Sequence, residues 1–214
     1  MNRFSVSAIS RASSWTFAAR CLLLVALTIP VCPAAATRDP EIVVREIFDE
    51  LLARIETQRQ ADTLSDESVR EIFASLLTPR IDYVSLARWI LRDYWTNSSV
   101  DQQSEFLQAF EGYIINTYAL ALANGKKIQL DVKDEPVLRN NTAVVMAAFK
   151  VADADAVPLD FRLIEREEKW LLFDVSFSGV SLARTFRSDF NYVAKNGGID
   201  AVTAHLVQRR AGTK

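Results

Sequence analysis

Beyond residue 32 the chain has no cysteine, since Cys21 and Cys32 are its only two. Anything that folds downstream of them has no disulfide and no thiolate, and must be held by its core alone. Histidine is as scarce. His205 is the single one, and no cysteine or carboxylate cluster surrounds it in the sequence, so no metal centre is expected and His205 reads as a surface or half-buried helix residue. Neither G-x-x-x-x-G-K nor G-x-G-x-x-G occurs among the six glycines, which removes phosphate-cradling loops. Basic excess is missing too: 25 Lys and Arg face 27 Asp and Glu, giving a net charge of −2 and no electrostatic footprint for nucleic acid.

Catalytic constellations are absent in the same way. Ser181 lies in Gly179-Val180-Ser181 with no glycine following at the nucleophile-elbow position, and it stands at a helix start, where its hydroxyl is expected to cap backbone N–H groups. Asp62, Asp66 and Glu67 lack the central glycine of a calcium loop and read as solvated or capping residues. Asp174 is set opposite Phe173, Val175 and Phe177 on a strand pattern, with no histidine or second acid placed to complete an acid/base pair. Its expected role is structural, solvated or paired with a basic neighbour.

What is present begins with a leader. Arg3, Arg11 and Arg20 precede the apolar run Cys21 to Leu27, and Ala34-Ala35-Ala36 offers a small-residue cleavage site, so residues 1–36 read as an export signal. The run is too short to span a bilayer comfortably, which favours a cleaved signal over an anchor. A lipoprotein reading at Cys32 is disfavoured by Pro30 and Val31, which are poor matches to the small residues such processing needs. Residues 37–214, roughly 180 in all, suit one domain with a substantial core.

Within that domain the hydrophobic period is first 3.6 and then 2. Val44, Ile47, Phe48, Leu51, Leu52 and Ile55 predict a helix over 41–59, and Val69, Ile72, Phe73, Leu76 and Leu77 a short one ending at Thr78-Pro79. An aromatic-rich helix is predicted over 81–95. Ser99-Val100-Asp101-Gln102 is a capping-box pattern opening a long helix to about Ala123, stopped by Asn124-Gly125. Strands are then predicted around Ile128–Val132, Val145–Phe149, Leu159–Leu163 and Trp170–Phe177, joined at Pro136, Asn140-Asn141, 153–158 and 166–169. Helices, then an antiparallel sheet of about four strands, then two helices, make an α+β layout in which helices must cover one sheet face.

The most informative stretch runs from Asp174 to Leu206. Val175 and Phe177 alternate with Asp174 and Ser176, Ser178-Gly179 supplies a turn, and Ala183, Phe186, Phe190 and Val193 form a helical stripe. Gly197-Gly198 stops that helix and Asp200 stands where it could cap the next. With Trp170 leading the strand, Gly179-Val180-Ser181, Gly198-Ile199-Asp200 and Leu206, this order of parts resembles the MlaC, or toluene-tolerance auxiliary, family. Tyr94-Trp95, Gln102-Gln103, Phe106, Phe110 and Tyr118 resemble the family's middle helix. Arg92 is a departure, because many members have glycine after the aliphatic pair that precedes it.

The resemblance implies a periplasmic protein that carries a phospholipid between an outer-membrane lipoprotein complex and an inner-membrane ABC-transporter complex, maintaining outer-membrane lipid asymmetry. No catalysis and no cofactor are implied, the bound phospholipid being cargo. Taken alone, the aromatic residues read as a dense core; with the resemblance they read as the lining of an apolar lipid cavity. Periodicity then nominates Phe106, Phe110, Tyr113 and Tyr118 on the long helix and Val145, Phe149, Phe161, Phe173 and Val175 on the strands as lipid contacts. Two other readings compete. One is an exported enzyme using Asp174 or Asp160 for proton transfer on an apolar substrate, and the other is a ligand-free structural adaptor.

Overall fold

The computed structural model describes residues 38–123, 128–152 and 154–212. The expected leader and the Asn124-Gly125 stop lie outside these residues. Among the described residues no helix is long and apolar enough to cross a membrane.

The first helix, α1 (Pro40–Gln60), starts with proline where a missing N–H costs nothing, and it buries Val44, Ile47, Leu51 and Ile55. α2 (Asp66–Leu77) opens on a capping box in which Ser65 and Ser68 exchange side-chain and backbone bonds. A 3-10 turn over Thr78–Arg80 follows.

The helix expected over 81–95 is two helices, α3 (Tyr83–Leu91) and α4 (Asp93–Thr96). Arg92 between them sits at φ 49°, ψ −114°, which no helix can pass through. Arginine is a good helix former, so nothing local signals the break. Its effect is to re-aim the chain so that Trp95 drops into the core.

The capping box at the start of α5 (Val100–Ala123) is present as expected. The Gln102 N–H donates to Ser99 Oγ at 3.2 Å, and the Ser99 N–H donates to Gln102 Oε1 at 3.0 Å.

The sheet has six strands, all pairings antiparallel, in the order β1–β3–β4–β5–β6 with β2 also paired to β3. The four predicted strands are β1 (Ile128–Val132), β3 (Thr142–Val151), β4 (Val157–Arg166) and β5 (Lys169–Phe177). The two extra ones, β2 (Val137–Arg139) and β6 (Val180–Ser181), are too short to show an alternation. Register shifts between Arg162 and Leu163, which face Asp174 and Leu172, so Phe173 is an extra, bulged residue. The bulge puts Leu172 and Val175 on the same inward face, although they are three apart.

Two cores form on either side of a gap. One belongs to the sheet, where Ala143, Val145, Ala147, Leu159, Phe161 and Leu163 pack with Val132 and with Val44 of α1. The other is helical, built from α1 to α5 together with α6 (Leu182–Ala194) and α7 (Gly198–Gly212). Its centre is a ring cluster: Phe110 meets Phe106, Phe186 and Phe190 at centroid distances of 5.4, 5.3 and 5.6 Å.

The α6 stripe buries Ala183, Phe186, Phe190 and Ala194, with Val193 half-buried beside it. Asp200 does not cap α7. It lies inside the first turn, and its carboxylate accepts two bonds from Gln102 Nε2 at 3.0 and 2.9 Å, tying α7 to the start of α5.

Candidate functional site

Between the two cores lies a cavity of about 440 Å³, within the size range of small-molecule sites. The sheet contributes Phe149 and Val151 from β3, Leu159 and Phe161 from β4, and Leu172, Phe173, Val175 and Phe177 from β5. The helices close it with Phe48 of α1, Phe73 and Leu77 of α2, Leu86 of α3, Ile114 and Tyr118 of α5, and Leu182, Ala183 and Phe186 of α6, while Ile81 lies between α2 and α3. Phe177 is 38% exposed, which places the rim at the end of β5. A second void of about 20 Å³ shares Phe48, Leu77, Phe161 and Leu172 with the first, so these four side chains form the partition.

Among the described residues, Asp174 is the only charged one in the wall. Ser181 Oγ donates to its Oδ2 at 2.7 Å and the Ala183 N–H donates to Oδ1 at 2.9 Å. Ser181 is itself the N-cap of α6, accepting from the Arg184 N–H at 3.1 Å. The carboxylate therefore answers the partial positive end of α6 and fixes that helix across the cavity. Arg162 Nε stands 3.8 Å away, in ion-pair range and beyond hydrogen-bond range. Burial, reinforced by Tyr113, pushes the Tyr118 phenol up to about 12. Burial likewise raises the Tyr83 phenol, which meets Phe110 edge-on.

Of the residues nominated from the sequence, Tyr118, Phe149, Phe161, Phe173 and Val175 stand in the wall. Phe106, Phe110, Tyr113 and Val145 do not. Phe106 and Phe110 are wholly buried in the ring cluster, and Tyr113 stands behind the wall against Phe186 at 6.1 Å. Val145 is wholly buried in the sheet core. A stripe at helical or strand spacing marks which side avoids water, and the same spacing serves solid core and cavity wall alike. For that reason the contributions of α1, α2, α3 and α6 were not legible. Asp160 lies on the outer sheet face opposite Met146 and Ser176, outside the wall. His205 is half-buried on α7, and no group of three or more His, Cys, Asp or Glu is placed to hold a metal among the described residues.

The sequence profile of the MlaC protein matches residues 45–208, which take in every element named above except the start of α1 and the end of α7. The chain belongs to the MlaC family. A curated relative, the intermembrane phospholipid transport system binding protein MlaC of Haemophilus influenzae, is 20% identical over 179 residues, covering 82% of this chain and 84% of its own length. A solved structure, the phospholipid-binding protein of Ralstonia solanacearum in complex with a phospholipid, superposes with a TM-score of 0.74 at 24% identity, over 82% of this chain and 98% of that one. At that identity the likeness establishes the shared MlaC fold. In this member of the family the wall offers one carboxylate among the described residues, and both its oxygens are already engaged by Ser181 and Ala183.

Proposed function

We propose that the protein is a phospholipid-binding carrier that moves lipid between the two membranes of the envelope, taking it from and giving it to membrane-bound transport complexes. The carrying observation is the cavity, whose described lining is apolar apart from Asp174 and the Tyr118 hydroxyl and whose α6 roof is held by that buried carboxylate. A diacyl lipid exposes on the order of 30 methylenes, and at about 0.8 kcal/mol each their transfer to water costs on the order of 20 kcal/mol. Unaided crossing of an aqueous space is closed to such a molecule, and enclosing its acyl chains removes the barrier. No acid/base pair is needed for this, and Asp174, the one carboxylate of the wall among the described residues, is committed to α6. The phospholipid transport role of the Haemophilus relative and the phospholipid bound by the Ralstonia protein support this reading. The outer-membrane lipoprotein complex and the inner-membrane ABC-transporter complex are the proposed partners, and the periplasm the proposed compartment.

The test is solvent extraction and native mass spectrometry of the protein purified as the cell processes it. Phospholipid near one molecule per chain is expected. A lipid-free protein that gains no mass on incubation with phospholipid vesicles refutes the carrier reading.

A further inference from the structure

Helices α3 and α6 wall the cavity through Leu86 and Phe186. Away from the cavity they carry a different surface. Arg88, Trp89 and Arg92 are exposed along α3 and its end, Arg184 is exposed on α6, and the half-buried Arg187 joins the two helices by laying its guanidinium carbon 5.1 Å from the Trp89 ring centre. Arg92 caps α3 four residues after Arg88 and three after Trp89, and a spacing of three places Arg184 and Arg187 side by side on α6.

Several arginines of this protein find carboxylates, as in Arg38–Glu46, Arg45–Asp134, Arg54–Glu50 and Arg166–Asp82, while Arg80 instead donates to the Leu76 carbonyl. Arg88, Arg92, Arg184 and Arg187 form no ion pair among the described residues, even though acidic residues outnumber basic ones in the chain and Asp93 directly follows Arg92. Arg92 adds an independent observation. Its backbone, at φ 49° and ψ −114°, is in territory that glycine occupies freely and a side chain only under strain. Strain kept at a position is a pointer to function, and here it keeps a cation on this face.

We propose that the α3–α6 face docks the protein on an anionic phospholipid bilayer. Guanidinium forks match phosphate oxygens in pairs. Trp89, 39% exposed, and Val84, 44% exposed, add the amphipathic element that belongs at the headgroup level. An acidic protein surface would answer the arginines alone, whereas the exposed part of the Trp89 ring and Val84 beside them suit the headgroup–acyl boundary of a bilayer. In a chain that is net acidic, four arginines without carboxylate partners gathered on one face also set the orientation of approach.

The experiment is co-sedimentation of the protein, as the cell processes it, with phosphatidylglycerol vesicles and with phosphatidylcholine vesicles at low and at physiological salt. Binding to phosphatidylglycerol is expected, weaker at higher salt, with partitioning falling about five-fold for each charge removed in Arg88→Gln and Arg184→Gln. Arg92→Gly is expected to weaken binding by the same factor while raising the melting temperature, a combination that a purely structural role does not produce. Phospholipid content per chain, read on the same samples, should stay at the wild-type value, so loss of docking and loss of cargo are distinguished. Equal binding to both vesicle types, undiminished binding by the Arg88→Gln/Arg184→Gln variant, or capture by an acidic protein with no affinity for vesicles overturns the proposal.

Discussion

Replacing Asp174 by alanine and by asparagine separates two things the buried carboxylate does. Alanine removes the acceptor for the Ser181 hydroxyl and for the Ala183 N–H, leaving that N–H buried at the start of α6 without a partner. Each bond to a charged acceptor contributes about 1.5–3 kcal/mol, and the desolvation cost of the carboxylate disappears with it, so the net loss is about 2–4 kcal/mol. For a domain of this size that is a fall in melting temperature on the order of 10 °C. Asparagine keeps an oxygen for Ala183 and can turn its NH₂ to Ser181 Oγ, losing only the charge facing the helix terminus, about 0.3–1 kcal/mol. Because α6 carries Leu182, Ala183 and Phe186 in the cavity wall, Asp174→Ala should also retain less bound phospholipid than Asp174→Asn. Thermal unfolding followed by circular dichroism, with lipid extraction on the same samples, reads both effects. If Asp174→Ala melts with the wild type, or if the two variants are equally damaged, the carboxylate does not hold α6 through these bonds.

Charge in the wall and charge in the solid core should have different outcomes. Val175→Asp places a carboxylate beside the cavity and is expected to lower lipid content in a protein that still folds, whereas Val145→Asp buries an unpaired charge in the sheet core and is expected to abolish folding, as judged by expression and far-ultraviolet spectra. Gly179 has φ 81° and open space around its Cα, so Gly179→Ala meets no clash and should cost only the strain of that conformation, about 1 kcal/mol by urea unfolding. Tyr118 should ionise near pH 12 instead of near 10, read by absorbance difference against Tyr118→Phe. Since its folded-state value is the raised one, the stability linked to it is complete below pH 10 and is lost as pH rises through about 12.

Most of the caps and long strands were legible along the chain, Asp200 being an exception because its carboxylate is taken by Gln102 of α5. Ser99 and Gln102 form the capping box their spacing implies, Ser181 caps α6, and the four longer strands stand where apolar and polar residues alternate. These are contacts between residues a few positions apart, so the chain need not be folded for them to be read. The parts that tertiary structure decided are those where distant segments compete for one position. Arg92 takes a positive-φ backbone between α3 and α4 against its helix preference, and Trp95 is buried three residues later. The bulge at Phe173 re-phases β5 so that Leu172 faces inward with Val175. The cavity is the clearest case. Phe110 and Phe161 both sit on apolar stripes and are both buried, yet one fills a ring cluster and the other faces open space. Periodicity records which side of an element leaves water, and only the separation between the packed layers decides whether that side meets another side chain or a volume left for a ligand.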